Sequence, residues 1–152
     1  MRFVFLFFGT LVIGTVSAQS SSDSVRQVVN DFFVAMKRSD TSGMRACMSP
    51  VVHFEATQSQ PDAVPTLIQE SVNAFLASVA RIEPGLLDER IQFASVLVEG
   101  SLASVWTPYE FYFNGRYSHC GVNSFQLVRL RGKWQIQYLI DTRHKSCSPE
   151  LK

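Results

Sequence analysis

The sequence predicts an α+β fold in a single domain, with N-terminal helices packed on a curved antiparallel sheet. Apolar residues recur at helical spacing in the first part of the chain, whereas after Leu87 they alternate with a period of two. The dipeptides Asn114-Gly115 and Arg131-Gly132 favour tight hairpin turns between the resulting strands. A chain of 152 residues is long enough for one such domain.

The helices are predicted from apolar stripes and from the residues that flank them. The first spans about Ser24–Lys37, with Ser24 and Gln27 as a capping box at its start. The remaining elements are a short helix over 41–48 capped by Asp40, a strand over 51–56, a loop over 57–64, and a third helix that begins at Pro65 and ends before Pro84-Gly85.

Four strands rich in Val, Phe, Tyr and Trp follow, over residues 91–98, 103–113, 117–130 and 133–142. The two turn dipeptides set the register between the last three of them, because a two-residue turn pairs the residues on either side of it. The predicted cross-strand pairs are Glu110 with His119, Trp106 with Asn123, Asn123 with Ile140, Phe125 with Tyr138, and Leu127 with Ile136.

This register divides the side chains between two faces of the sheet. The apolar face is expected to be concave and to pack on the helices, and it collects Trp106, Glu110, Tyr112, Tyr117, His119, Asn123, Phe125, Leu127, Trp134, Ile136, Tyr138 and Ile140. The opposite face carries Tyr109, Phe111, Cys120, Asp141 and Arg143 among others, which suits a half-exposed surface or a contact with a second copy. There Asp141 and Arg143 are expected to form a surface ion pair.

The polar members of the apolar face are the candidate site. Glu110, His119 and Asn123 are expected to lie within reach of one another, and a buried charge without a partner is costly. A carboxylate beside an imidazole is expected to raise the pKa of His119. Such a pair can act as a general base with its orienting group, or it can line a binding pocket.

The first eighteen residues have the pattern of a secretory signal peptide. Arg2 precedes an apolar run from Phe3 to Ile13, and small residues follow up to Ala18. The run is shorter than the roughly 20 apolar residues of a membrane-spanning helix. We therefore expect cleavage after Ala18, a domain of residues 19–152, export to the periplasm or the medium, and no membrane association after signal removal.

Charge and motifs exclude several classes of function. Lys and Arg number 14 against 13 Asp and Glu, so the chain has no basic face for nucleic acid. A Walker loop and the G-x-S-x-G and G-x-G-x-x-G motifs are missing from the sequence, which argues against nucleoside triphosphatases, acyl hydrolases and dinucleotide enzymes. His53 and Glu55 share a strand face without a third ligand nearby, and we expect neither a metal nor a cofactor.

Three cysteines in an exported chain allow one disulfide and three pairings. Cys120 and Cys147 are expected to be neighbours at the same end of the last hairpin if the chain folds back after His144. Cys47 has no comparable route to either partner, so we expect the pairing of Cys120 with Cys147.

Three segments carry a family resemblance, namely VRQVVNDFFVAMKRSD, ASVWTPYEFYFNGRYSHCGVNSFQLVRLRGKWQI and YLIDTRHKSC. Over about Val25–Cys147 the chain resembles the nuclear-transport-factor-2-like (NTF2-like) superfamily, and within it the lumazine-binding and SnoaL-like branch. The resemblance implies a cone-shaped α+β fold and a homodimer formed through the convex face of the sheet. The superfamily includes isomerases, cyclases, dehydratases, ligand carriers and non-enzymatic partners, so the resemblance does not select one function.

Two functions are therefore predicted. The first is an exported, non-catalytic protein that binds a small molecule among Trp106, Tyr112, Asn123, Phe125 and Tyr138. The alternative is a small-molecule isomerase, cyclase or dehydratase in which Glu110 and His119 are catalytic. The binding function is preferred, because no position matches a known catalytic motif.

Overall fold

The computed structural model describes residues 20–58 and 64–147. The predicted signal peptide, residues 1–18, lies outside these ranges. Within them, no helix has the length and apolarity that a membrane span requires.

The first helix, α1, spans Ser21–Lys37 and buries one apolar stripe that includes Val25, Val29, Phe32 and Met36. It begins three residues before the predicted start. Its N-cap is Ser20, whose Oγ accepts a hydrogen bond of 3.1 Å from the Asp23 backbone N–H, so the predicted capping box at Ser24 is wrong. A serine one turn earlier satisfies the same unpaired backbone donors.

The second helix, α2, spans Thr41–Ala46 and is capped by Asp40 as predicted. The Asp40 carboxylate accepts a hydrogen bond of 2.9 Å from the Gly43 backbone N–H. Strand β1, Met48–Gln58, begins only two residues after this helix and contains the predicted strand over 51–56.

The predicted third helix is wrong in its first half. Residues Thr66–Glu70 form strand β2, which pairs antiparallel with β1. Helix α3 covers only Val72–Val79 and has Ser71 as its N-cap. Leu67 is 60% exposed, so it does not belong to the apolar stripe of a helix. Backbone pairing along the free edge of β1 outweighs the local helical pattern here.

The remaining strands are β3 (Leu87–Ile91), β4 (Ser95–Glu99), β5 (Leu102–Phe113), β6 (Arg116–Leu130) and β7 (Lys133–Thr142). The strand order is β2-β1-β7-β6-β5-β3, and β4 also pairs with β5. Neighbouring strands are antiparallel except β1 and β7, which are parallel. The strand predicted over 91–98 is split by residues 92–94, and both of its halves pair with β5.

Both predicted hairpin turns are present. Asn114 and Gly115 have φ of 50° and 71°, and Arg131 and Gly132 have φ of 50° and 81°. Positive φ at both central residues is the type I′ geometry that Asn-Gly favours.

Two bulges change the predicted register further along the hairpins. Tyr112 pairs with Tyr117 as predicted, but Phe111 pairs with His119, so Ser118 is an extra residue in β6. In the next hairpin Leu127 pairs with Ile136 as predicted. Gln126 then pairs with Tyr138, so Gln137 is an extra residue in β7. Beyond each bulge the pairing differs by one residue from the predicted register.

The core lies between α1, α3 and the sheet face that they cover, which we call the inner face. Phe125, Leu127 and Ile136 are fully buried there and Trp134 is 6% exposed. All four belong to the apolar face predicted from the sequence. Trp106 is 48% exposed on the opposite, outer face.

Candidate functional site

A cavity of about 310 Å³ lies between the inner face and helices α1 and α3. We call it the inner cavity. Its volume is at the lower end of the range for small-molecule sites. Its aromatic lining consists of Phe32, Phe33, Phe54, Phe75, Tyr109 and Phe111, and its polar and charged lining includes Glu55, Glu70, Glu89, His119, Asn123, Asp141 and Arg143.

A larger groove of about 620 Å³ lies between α1, α2 and the β6–β7 hairpin. It is lined by surface groups such as Arg38, Asp40 and Lys133, which water already solvates. The inner cavity is the better candidate, because aromatic rings and a few convergent polar side chains line it, which is the usual form of a small-molecule site.

Glu89 and Asn123 form the polar centre of the inner cavity. The Asn123 side-chain amide donates a hydrogen bond of 2.7 Å to Glu89 Oε1. Burial raises the pKa of Glu89 to about 7, the nearby Asp141 also raises it, and the bond from Asn123 opposes the rise. This carboxyl group therefore changes its protonation state near neutral pH.

A second polar group joins Tyr109, Asp141 and Arg143. The Tyr109 hydroxyl lies 3.2 Å from Asp141 Oδ2 and 2.9 Å from the Thr142 carbonyl oxygen. Arg143 Nε donates to Asp141 Oδ2 at 2.7 Å. Burial and the adjacent Asp141 hold the pKa of Tyr109 far above its usual range, so the hydroxyl stays protonated. Asp141 and Arg143 form the predicted ion pair. The pair lines the inner cavity, whereas the sequence predicts it on the outer surface.

Gly121 allows this arrangement by its lack of a side chain. It is the cross-strand partner of Tyr109. A Cβ atom at this position would lie 1.8 Å from the Thr142 carbonyl oxygen. The β7 backbone can therefore approach closely enough for Thr142 to accept from Tyr109.

His119 lines the inner cavity as predicted, but its surroundings differ from the prediction. Its ring lies 5.8 Å from that of Tyr109 and 5.0 Å from that of Phe111, and its Nδ1 lies 3.0 Å from Ser118 Oγ. Burial lowers the pKa of His119, and the positive charge of Arg143 lowers it further. The predicted rise is wrong, because Glu110 lies on the other face and burial outweighs the opposing effect of Asp141.

The predicted pair of Glu110 with His119 is not formed. Glu110 pairs in the register with Cys120, and its Oε2 accepts a hydrogen bond of 2.8 Å from the Tyr112 hydroxyl on the outer face. The bulge at Ser118 moves the pairing by one residue, and side chains alternate between faces with a period of two. Glu110 and His119 consequently point to opposite sides of the sheet.

The five predicted ligand-binding residues also divide between the faces. Asn123 lines the inner cavity, and Phe125 is fully buried in the core beside it. Trp106, Tyr112 and Tyr138 lie on the outer face, where Arg90 stacks 4.1 Å from the Tyr112 ring centre and the Tyr138 hydroxyl donates to Glu55.

Glu89, Tyr109 and Asp141 line the cavity but are not predicted as site residues from the sequence. One signal for Glu89 was present, since the alternation of Leu87, Glu89 and Ile91 places a carboxyl group on an apolar strand face. Tyr109 and Asp141 were assigned to the other face by the uninterrupted register.

Cys120 and Cys147 form a disulfide, with Cα atoms 6.0 Å apart. Backbone hydrogen bonds between Cys120 and His144 hold the chain beside β6 before it turns back. Cys147 lies against Arg90, Pro108 and Glu110 on the outer side of the sheet. Cys47 is free and buried, and burial raises its pKa to about 11.

Neither the models of known protein families nor the curated proteins gave a match to this chain. Solved structures do match it. An NTF2-like protein of unknown function from Shewanella baltica has a TM-score of 0.65 and 16% identity, covering 82% of this chain and 94% of that protein. An NTF2-like protein of unknown function from Silicibacter pomeroyi has a TM-score of 0.63 and 17% identity, with coverage of 80% and 94%.

A domain of unknown function with a cystatin-like fold from Nostoc punctiforme has a TM-score of 0.64 and 16% identity, covering 88% of this chain and 82% of that domain. At these identities the likeness concerns the fold alone. The helices packed on a curved, open sheet agree with it. The chain therefore has the NTF2-like fold that its sequence predicts.

Proposed function

We propose that this protein is exported and binds a small, partly aromatic molecule in the inner cavity without converting it. The observation that carries the proposal is the Glu89–Asn123 pair inside a cavity with six aromatic rings. An apolar cavity with a few convergent polar groups is the usual form of a small-molecule site. The signal-peptide pattern and the disulfide support export.

A neutral fluorophore, N-phenyl-1-naphthylamine, tests this proposal. Its fluorescence should increase on binding to the protein, and Ser78→Trp should abolish the increase because Ser78 lines the inner cavity. Ala77→Trp is the matched control, since Ala77 is exposed on the same helix outside the lining. Equal binding by the two variants would place the fluorophore elsewhere and contradict the proposal.

One observation favours acid–base catalysis as a second candidate function. A general base works best when its pKa lies near the working pH, and the pKa of Glu89 is about 7. In an isomerase, cyclase or dehydratase the carboxyl group would therefore be Glu89 and not Glu110, with His119 in the same cavity lining. Exchange of the α-deuterium of a deuterated cyclic ketone, followed by NMR, tests this candidate. Exchange that is faster than in buffer and lost in Glu89→Gln would favour an enzyme.

We also propose a homodimer through the outer face. Trp106, Leu97 and Leu102 expose large apolar side chains there. Burying them against a second copy would remove apolar area from water. Sedimentation should show a dimer that Trp106→Arg dissociates, whereas a monomeric wild type would contradict this contact.

A further inference from the structure

The charged groups around Glu89 leave the inner cavity with more negative than positive charge. The Arg143 guanidinium forms ion pairs with two carboxylates. Its Nε lies 2.7 Å from Asp141 Oδ2, and its Nη2 lies 3.6 Å from Glu70 Oε2. Glu55 on β1 borders the cavity, but its carboxylate accepts from the Tyr138 hydroxyl on the outer face. The negative groups of the cavity are therefore Glu70, Glu89 and Asp141. His119 on β6 is neutral at pH 7, since burial lowers its pKa.

The remaining elements around Glu89 add no positive charge to the cavity. Tyr109 on β5 keeps its proton, and the α3 lining consists of uncharged side chains. Lys37 on α1 binds Asp88, the outward neighbour of Glu89, at 2.8 Å. Arg143, the Lys or Arg side chain of the described lining, is therefore already paired with two carboxylates.

Glu89 and Asn123 have unused hydrogen-bonding atoms at the cavity. Glu89 Oε2 and the Asn123 amide oxygen have no hydrogen-bond partner within residues 20–58 and 64–147. Asn123 is 4% exposed, and both side chains line the cavity. Neither oxygen is among the fully buried polar atoms without a partner, so both are open to the cavity. Both accept hydrogen bonds when Glu89 is ionised. They fit a ligand group that carries several donors.

The aromatic lining favours a donor group that is also positively charged. Phe54 and Phe75 pack edge to face with ring centres 5.7 Å apart, and Phe111 and Tyr109 also line the cavity. The face of an aromatic ring attracts a cation within about 6 Å of its centre, and the attraction is larger when water is excluded. A carboxylate and an amide oxygen inside such a lining can replace part of the hydration shell of an ammonium group.

We propose that the inner cavity selects primary ammonium cations with an aromatic or apolar body, with Glu89 as their counter-ion and Asn123 as a second acceptor. This inference rests on the proposed binding function and adds the chemical class of the ligand. The ammonium group keeps its three protons and donates to Glu89 and Asn123. Below neutral pH the Glu89 proton leaves for solvent when the cation binds, so binding releases a proton.

Three ligands of matched shape test the proposal: 2-phenylethylamine, 2-phenylethanol and phenylacetate, each displacing N-phenyl-1-naphthylamine. At pH 8 the amine should bind at least about tenfold more tightly than the alcohol, because a charged hydrogen bond replaces a neutral one. From pH 8 to pH 6 the affinity for the amine should fall about tenfold, since Glu89 must then release a proton. The affinity for the alcohol should change little.

Glu89→Gln should remove the preference for the amine and keep the affinity for the alcohol. Glu110→Gln is the matched control, because Glu110 lies on the outer face, and it should keep the preference. If Glu89→Gln does not fold, the number of protons released on amine binding can be measured on the wild type instead. Calorimetry at pH 6 in two buffers of different ionisation enthalpy gives this number. Close to one proton released per amine supports the proposal, and no release overturns it.

The outcomes separate this inference from the binding function. If the fluorophore binds but the amine and alcohol displace it equally, or phenylacetate binds most tightly, the ammonium selectivity is overturned and the binding function stands. If the fluorophore does not bind, both are overturned.

Discussion

Both faces of strand β5 carry a tyrosine that meets a carboxylate, but the inner pair is buried and the outer pair is exposed to water. Tyr109 and Tyr112 lie three residues apart on β5, and each hydroxyl meets a carboxylate. The pKa of Tyr109 is raised mainly by burial, whereas that of Tyr112 is raised mainly by its hydrogen bond to Glu110. The same pairing of groups is therefore a buried, water-shielded cluster on one face and a solvated surface contact on the other.

The two bulges decide which residues occupy which face. An uninterrupted register would pair Glu110 with His119, but the extra residue at Ser118 pairs Phe111 with His119 instead. A single unpaired residue thus decides which β5 side chains lie on the same face as His119. A site on a sheet is consequently set by its bulges as much as by its residue types.

Substitution of the two tryptophans should give the largest difference in unfolding free energy between the faces. Trp134→Ala should lower the free energy of unfolding by about 3–5 kcal/mol, because it leaves a cavity in the core. Trp106→Ala should change it by less than about 1 kcal/mol, since that side chain is half exposed. Urea denaturation of both variants measures this difference. Equal losses would mean that the inner face has been wrongly assigned.

The disulfide on the outer side should affect stability without affecting binding. Cys147→Ser should lower the free energy of unfolding by about 3 kcal/mol, because it opens a closed loop. Binding of N-phenyl-1-naphthylamine at low temperature should remain, since neither cysteine lines the inner cavity. A variant as stable as the wild type would show that the tail is held in another way.

The pH dependence of stability should identify Glu89. Its pKa is raised from an ordinary 4.5 to about 7 in the folded state. Between these values the folded chain binds more protons than the unfolded chain, so the contribution of Glu89 to stability falls as pH rises and is lost above pH 7.

Glu89→Gln removes this contribution. The difference in unfolding free energy between Glu89→Gln and wild type should therefore shift in favour of the variant by about 3 kcal/mol from pH 4.5 to pH 8. Denaturation of both proteins across this range gives the difference. A constant difference would contradict the raised pKa.

Substitution of the two tyrosines by Phe should give the smallest change in the free energy of unfolding. Tyr109→Phe should cost about 1 kcal/mol, because Asp141 and the Thr142 carbonyl lose a buried donor. Tyr112→Phe should leave the unfolding transition unchanged, since water replaces its hydroxyl. A loss of stability in Tyr112→Phe but not in Tyr109→Phe would reverse the assignment of the faces.

Local signals in the sequence predict the parts of the fold that local interactions determine. Asn114-Gly115 specifies its turn because few other residues tolerate positive φ at both positions. Asp40 caps α2 through a hydrogen bond three residues along the chain. The helix α1 follows from its apolar stripe, although Ser20 and not Ser24 caps it.

Features that depend on distant partners were not predictable in the same way. Residues 66–70 are helical by pattern, but pairing with β1 makes them a strand. Ser118 and Gln137 carry no sequence mark of a bulge, so the predicted pairing beyond them is one residue out of register. The predicted face is therefore wrong on β5 and on β7 beyond Gln137, but right on β6 beyond Ser118. This error placed Asp141 on the outer face and Glu110 on the inner one, and it explains why Asn123 and His119 are the predicted polar residues that line the cavity.

We propose that Glu89 and Asn123 form the ligand site on the inner face. NMR spectra of the wild type titrated with 2-phenylethylamine test it most directly, because the Asn123 side-chain amide and the Trp106 indole N–H report on the two faces separately. The predicted result is a saturable shift of the Asn123 amide with no shift of the Trp106 indole. A saturable shift of Trp106 with an unchanged Asn123 would contradict the claim.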